Sequence, residues 1–270
     1  MRLNKYLSDA GFCSRRRADR LAEEGRVTVN GRKAPVGAQV EENDVVCVDG
    51  RRIVPETKKV YLAFYKPRGI VCTAEKREKN NVVDYLKHPV RVYPVGRLDK
   101  DSEGLLLLTN DGEIVNGILR ARNFHEKEYH VWVDRPVTEE FLEQMAAGVP
   151  ILDTVTRPCR VRKRGERCFS IVLTQGLNRQ IRRMCEALGY RVERLKRIRI
   201  MNIRLNGLEP GQYRELTDEE LKSEKEFREN NSRRLQYGSD KANERTGSAV
   251  ESGGESILPG RQGDHEQPGV

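Results

Sequence analysis

The reactive groups of this sequence concentrate in one loop. Asp99 lies in Val95-Gly96-Arg97-Leu98-Asp99-Lys100-Asp101-Ser102-Glu103-Gly104, and four consecutive leucines, Leu105 to Leu108, follow at once before Thr109-Asn110-Asp111-Gly112. A leucine run bounded by turn residues must be buried on both faces, which pins the polar loop before it to the rim of a core. A carboxylate aimed from such a loop can act as a nucleophile or stabilise positive charge developing on a substrate. On pattern alone, an ordinary turn aspartate is the simpler reading of Asp99, because aspartates are common in such loops. Farther along, Arg179, Arg182 and Arg183 fall in a helical pattern from Asn178 to Leu188. By themselves they read as a basic helix face suited to phosphate.

The elements around these residues follow from periodicity. Leu3 and Leu7 lie one helical turn apart. Ser14 can cap a second helix whose inner face carries Ala18, Leu21 and Ala22, and Gly25 suits the residue past its end. Val27 and Val29 alternate into the turn Asn30-Gly31, and Val46 and Val48 lead into a second hairpin signal at Asp49-Gly50. Tyr61 to Tyr65 reads as a buried strand, the turn Lys66-Pro67-Arg68-Gly69 stops it, and Ile70-Val71-Cys72 resumes extended chain. Strand-like runs recur at Leu105 to Thr109, Glu128 to Val133, Cys168 to Thr174 and Ile198 to Leu205. Helical patterns at Ile114 to Ala121, Thr138 to Ala147 and Asn178 to Leu188 separate them. This order predicts an α+β fold: a small αα-β module, then a domain built on a largely antiparallel or mixed β-sheet with flanking helices. The expected division is a module over 1–52, a linker over 53–60, a second domain over 61–221 and a disordered tail over 222–270. In that tail apolar residues thin out and Gly, Ser, Glu and Gln dominate.

Composition sets the class of partner. The 270 residues are 37% hydrophobic and 34% charged, with a net charge of +9. Residues 222–270 carry slightly more acidic than basic side chains, so the positive field belongs to the folded part. Such a field attracts phosphate backbones and would equally suit an anionic membrane. Arg15, Arg16 and Arg17 add positive charge at the start of the second helix, where the dipole is already positive, and phosphate or a solvated face accounts for them equally well. The six cysteines are scattered, and the four histidines do not cluster, which argues against a zinc site or a disulfide framework. No apolar run approaches the roughly 20 residues that span a bilayer, so no membrane association and a cytoplasmic location are expected.

The N-terminal segment resembles the S-four type RNA-binding module in Arg2-Leu3-Asn4-Lys5-Tyr6-Leu7, Gly11, Ser14-Arg15-Arg16 and Gly25-Arg26-Val27-Thr28-Val29-Asn30-Gly31. That likeness implies phosphate contacts from Arg15, Arg16, Arg17, Arg20 and Arg26. GRLDKDSEGLLLLTNDG, from Gly96 to Gly112, resembles the signature of the bacterial pseudouridine synthases of the RsuA, RluB, RluE and RluF branch. HEKEY from His125, VPILDTVTRPC from Val149, GLNRQIRRMCEALGY from Gly176 and RIRIMNI from Arg197 look most like its RluF type. The resemblance implies isomerisation of uridine to pseudouridine in ribosomal RNA, most directly of the large subunit, with a transfer RNA as a possible second substrate, no cofactor, no metal and a monomeric enzyme.

By the same resemblance Asp99 is the catalytic carboxylate, Arg182 its cationic partner and Tyr129 an active-site aromatic that can stack on an extruded uracil. Arg97, Leu98, Lys100, Arg179, Gln180, Ile181 and Arg183 are the implied RNA contacts around them. Lys66 to Gly69 is read as structural support for the pocket, and Trp132 as a core residue. Two rival readings stand beside this one: a non-catalytic ribosomal-RNA-binding protein, and a glycosylase sharing the first half of the chemistry. Product analysis separates the three, as pseudouridine, unchanged uridine or an abasic site.

Overall fold

The computed structural model describes residues 1–55, 58–75, 77–112 and 125–222. The helical expectation at Ile114 to Ala121 and the tail expectation beyond 222 lie outside the described residues. The N-terminal part pairs helices α1 (Leu3–Asp9) and α2 (Arg15–Glu23) with strands β1 (Val27–Val29), β2 (Arg32–Lys33), β3 (Val46–Val48) and β4 (Arg51–Arg52), in the sheet order β2-β1-β3-β4. Ser14 Oγ accepts from Arg17 N at 3.3 Å, capping α2 as its position in the sequence predicts. Asn30 and Gly31, then Asp49 and Gly50, all take positive φ and form the two tight turns. Leu3, Leu7, Ala18, Leu21, Val27, Val46 and Val48 close one core, which also buries Ile53.

The larger sheet begins with β5 (Tyr61–Lys66) and, after α3 (Val82–Leu86), takes in β6 (Tyr93–Val95) and β7 (Glu103–Thr109). Next come β8 (Lys127–Val133), α4 (Glu139–Ala147), the short hairpin β9 (Pro150–Ile151) and β10 (Thr154–Val155), then β11 (Arg160–Gly165) and β12 (Cys168–Leu173). Helix α5 (Gln180–Ala187), β13 (Val192–Ile200), β14 (Ile203–Arg204) and β15 (Tyr213–Glu215) complete the order. The strand order is β11-β12-β8-β13-β7-β5-β15, with β14 on β13 and β6 on β7. Only the β13–β7 contact among these is parallel, pairing Lys196 with Glu103 and Arg197 with Gly104. This is the mixed, largely antiparallel α+β architecture that the residue pattern predicts.

Leu105 to Leu108 are almost wholly buried. Leu106 and Leu108 pack with Leu62, Phe64, Val82 and Leu86, while Leu105 and Leu107 pack with Ala63, Ile200 and Ile203 on the other face. The strand is therefore filled on both sides, and the loop before it is anchored. A third core joins Tyr129, Val131, Phe169, Ile171 and Leu195 to Phe141 and Met145 of α4 and Ile181 and Met184 of α5.

Two expectations need correction. The strand predicted over Ile198 to Leu205 starts at Val192 and ends at Ile200, and a turn with Met201 at positive φ leads into β14. The inward-facing position 197 is an arginine, which interrupts the apolar alternation and hides the first half of β13. Trp132 is not a core residue: three positions from Tyr129 it falls on the opposite face of β8, half-buried under the Arg194 guanidinium at 4.8 Å.

Candidate active site

Asp99, Tyr129 and Arg182, far apart in sequence, line one cavity of about 380 Å³. Arg97 and Leu98 of the same loop line it too, as do Arg179, Gln180 and Ile181 at the start of α5. The loop is fixed from beneath. Lys66 Nζ, completely buried at the end of β5, donates to Pro67 O at 2.9 Å and Ser102 O at 2.8 Å. Gly69 N donates to Lys100 O at 2.7 Å. Leu98 N reaches Cys72 Sγ at 3.4 Å. The supporting role expected of the Lys66 to Gly69 turn thus has a definite form, a cation tying the strand end to the carbonyl three residues past Asp99. Burial pushes the Lys66 ammonium down to about 8.

Gly104 closes the other end of the loop. At φ +109, a Cβ there would collide with the Arg197 carbonyl oxygen and lie 2.7 Å from Arg197 N. Only glycine lets β7 and β13 approach this closely. Arg197, 4% exposed, donates from Nε to Leu105 O at 2.6 Å and from Nη1 to Arg97 O at 3.4 Å, stitching β13 to both sides of the loop.

The cation nearest Asp99 is not the expected one. Arg179 Nη1 lies 3.8 Å from Asp99 Oδ2, whereas no ion pair links Arg182 to Asp99. Arg179 caps α5 at φ +50 and from there also forks onto Asp101, at 3.2 and 3.1 Å. Arg182, one turn later and 13% exposed in its side chain, donates to Val192 O at 3.1 Å, Asp101 O at 3.2 Å and Ser102 Oγ at 3.3 Å. Its Nε stands 3.4 Å from Asp101 Oδ2. Burial pushes the Arg182 pKa down, while Asp101 and, at longer range, Asp99 oppose the shift. Burial alone would favour a protonated Asp101, but the hydrogen bonds of Arg179 and the charge of Arg182 hold it below the usual carboxylate range. Arg182 therefore braces the segment after Asp99 through the Asp101 carbonyl and carboxylate and the Ser102 hydroxyl, while Arg179 pairs with both the Asp99 and Asp101 carboxylates.

Tyr129 is 9% exposed, on the cavity face of β8. Two residues before it on the same face, Lys127 also lines the cavity, and burial together with Arg197 brings its ammonium down to about 8. Asp101, Lys127 and Arg197 are cavity residues or supports that reading by motif passes over. Asp101 is hidden by its neighbour Asp99, and the other two by their place in apparently ordinary charged strands.

The remaining predicted contacts lie outside the cavity lining. Lys100 follows Asp99 at the rim, and Arg183 folds back onto Asn178, from Nε to the carbonyl at 3.1 Å. In the N-terminal part Arg15, Arg16, Arg17, Arg20 and Arg26 are all exposed. Arg26 is forked onto Asp49 at 2.9 and 2.6 Å, and both Arg17 and Arg26 pair with Glu24. Arg15, Arg16 and Arg20 have no carboxylate partner among the described residues.

Similarity to known proteins bears on the same residues. Residues 60–187 match the RNA pseudouridylate synthase family and residues 1–46 match the S4 domain. The chain is 56% identical over 223 residues to the dual-specificity RNA pseudouridine synthase RluF of Escherichia coli strain K12, covering 82% of this chain and 77% of that one. It is 38% identical over 230 residues to the ribosomal large subunit pseudouridine synthase B of Bacillus subtilis, covering 82% and 94%. A crystal structure of a pseudouridylate synthase superposes with a TM-score of 0.62 at 26% identity, over 83% of this chain and 99% of that one. The carboxylate loop, the two arginines of α5 and the N-terminal basic helix all fall inside these matched regions, and the chain belongs to the RNA pseudouridine synthase family.

Proposed function

We propose that the protein isomerises a uridine to pseudouridine in ribosomal RNA, with Asp99 as its catalytic carboxylate. The observation that carries this reading is the convergence of Asp99, Tyr129 and Arg182 on one cavity in a chain of this family. The reaction breaks the bond between ribose C1′ and uracil N1, leaving its electron pair on the ring. The ring turns and C5 bonds to C1′. C5 loses its proton and N1 gains one, so the nucleotide keeps its composition and the chemistry calls for no redox partner or group donor.

Each side chain then has a definite task. Asp99 answers the cationic character at C1′, by direct attack or by charge. Arg179 keeps a positive charge 3.8 Å from it, and Arg182 holds the Asp101 carbonyl and the Ser102 hydroxyl. Tyr129 offers a ring face for the extruded base. Arg97, Leu98, Gln180 and Ile181 shape the walls, while Lys100 and Arg183 at the rim contact flanking RNA. The N-terminal part positions the RNA through Arg15, Arg16 and Arg20, with Arg17 and Arg26 engaging after exchanging their carboxylate partners for phosphate. The division into a module over 1–52, a linker and a catalytic domain over 61–221 belongs to this proposal, as do a monomeric state and a cytoplasmic location.

The relatives' names favour large-subunit ribosomal RNA, and dual specificity in the first of them favours a second RNA, for which a transfer RNA is the candidate. Sequencing RNA from a deletion strain after pseudouridine-specific labelling tests this. The expected result is loss of signal at a uridine of large-subunit RNA and its return with the wild-type gene. An unchanged pseudouridine map would refute the reading.

A further inference from the structure

We propose that the open face of the large sheet, turned away from the cavity, is a second RNA-contact surface that holds a single-stranded segment distinct from the one carrying the target uridine. The proposal goes beyond the isomerase reading and takes from it only that RNA is the partner.

Strand alternation creates this surface. Tyr129, Val131, Phe169, Ile171 and Leu195 point to the cavity side, beneath α4 and α5. Their sequence neighbours point the other way. Register then sets Arg162, Ser170, His130 and Lys196 in one row across β11, β12, β8 and β13, and Cys168, Trp132 and Arg194 in the next. Arg162 and Arg194 are exposed, His130, Lys196, Cys168 and Trp132 are partly exposed, and Ser170 is buried between them. Cations and aromatic rings share these rows with only Ser170 and Cys168.

Charge selects the partner. Three of the cations are already neutralised, Arg160 by Glu126 at 2.6 Å, Arg194 by Glu103 at 2.5 Å and Arg199 by Glu126 and Glu128 at 3.0 and 2.9 Å. Arg162, Arg164 and Lys196 have no carboxylate partner among the described residues. Arg164 donates to Ser170 Oγ at 3.2 Å, and Lys196 Nζ lies 4.8 Å from the centre of the Tyr65 ring. Between them lie His130 and Trp132, rings 6.2 Å apart and edge to face. Unpaired cations interleaved with aromatic rings suit a single strand, whose phosphates take the charge and whose bases stack. A duplex would use the cations and leave the rings idle.

The surface carries its own reporter, because Trp132 is the chain's one tryptophan. Full-length Asp99→Asn protein, which binds without turning over, is titrated with a uridine dodecamer while Trp132 emission is read. Saturable quenching that weakens with salt is expected. The combined Arg162→Ala, Arg164→Ala and Lys196→Ala variant should bind at least tenfold more weakly and flatten the salt slope by about 2, at roughly 0.7 per lost phosphate contact. The single exposed change Arg162→Glu should act in the same direction, which guards against a folding defect in the triple variant. With Asp99 intact, the triple variant should isomerise a short stem-loop as fast as the parent. Absence of quenching, quenching that survives in both variants, or quenching by phosphatidylglycerol vesicles and not by RNA would each overturn the proposal. A parent enzyme unable to isomerise any stem-loop would instead count against the functional reading and leave the quenching result to stand.

Discussion

Lys66 is a fully buried ammonium at the base of the candidate active site, and its burial makes a quantitative demand on stability. Its pKa falls from 10.5 to about 8, a penalty on the charged form of roughly 3 kcal/mol. The folded-state pKa lies below the unfolded one. Below pH 8 both states hold the proton and the penalty is constant. Between pH 8 and 10.5 the unfolded chain retains a proton that the folded chain has shed, so stability rises with pH. Linkage over pH 7.5 to 9.5 gives a gain of about 2 kcal/mol from this residue. The neutral amine still donates to Pro67 O and Ser102 O, so the loop stays tied as the charge leaves. Lys66→Met removes the titration, and the difference between parent and variant isolates it from Lys127, which shifts in the same direction. Urea unfolding at pH 7.5, 8.5 and 9.5 measures that difference. Parallel stability profiles for the two proteins would show that Lys66 does not titrate between its folded and unfolded values in this window.

Three further outcomes follow from the geometry. Gly104→Ala combines a positive φ with a collision against the Arg197 backbone and should cost about 2–5 kcal/mol in urea unfolding; a change under about 0.5 kcal/mol would mean the β7–β13 junction yields easily. Arg182→Leu leaves Val192 O, Asp101 O and Ser102 Oγ without a donor, so it should lose stability by about 3 kcal/mol and lose single-turnover rate even at saturating RNA; full rate recovery with more RNA would reassign it to phosphate binding. Replacing Arg15, Arg16 and Arg20 together by alanine should weaken RNA binding and flatten its salt slope by roughly 2 to 3, with the saturated rate unchanged; an unaltered slope in filter-binding assays would remove them from the RNA contact.

The sequence makes some features readable because their physics is local. Four leucines in a row between turn residues announce a segment buried on both sides, and Leu105 to Leu108 are. Asn30-Gly31 and Asp49-Gly50 announce turns that need positive φ at both positions, and Ser14 announces a cap. What escapes depends on distance. Nothing in the order of residues shows that Arg179, from the helix cap, and not Arg182 lies nearest Asp99, because that follows from a backbone conformation at one residue. Arg197 looks like one cation in a charged run, yet it is buried with its guanidinium on the carbonyls flanking the Asp99 loop. Trp132 reads as a core residue by its type, and strand alternation puts it on the open face.

If the Asp99 carboxylate performs the chemistry, Asp99→Asn removes that chemistry with the least change in shape. The amide keeps the size of the side chain and removes its charge, while the side chain is 34% exposed at the cavity edge, so folding and RNA affinity should be little affected. The measurement is single-turnover formation of pseudouridine in ribosomal RNA, with enzyme in excess and affinity measured in parallel. No detectable pseudouridine and a dissociation constant within about threefold of the parent are expected. Pseudouridine formed within about tenfold of the parental rate, a barrier change of only ~1.4 kcal/mol, would contradict that role for Asp99.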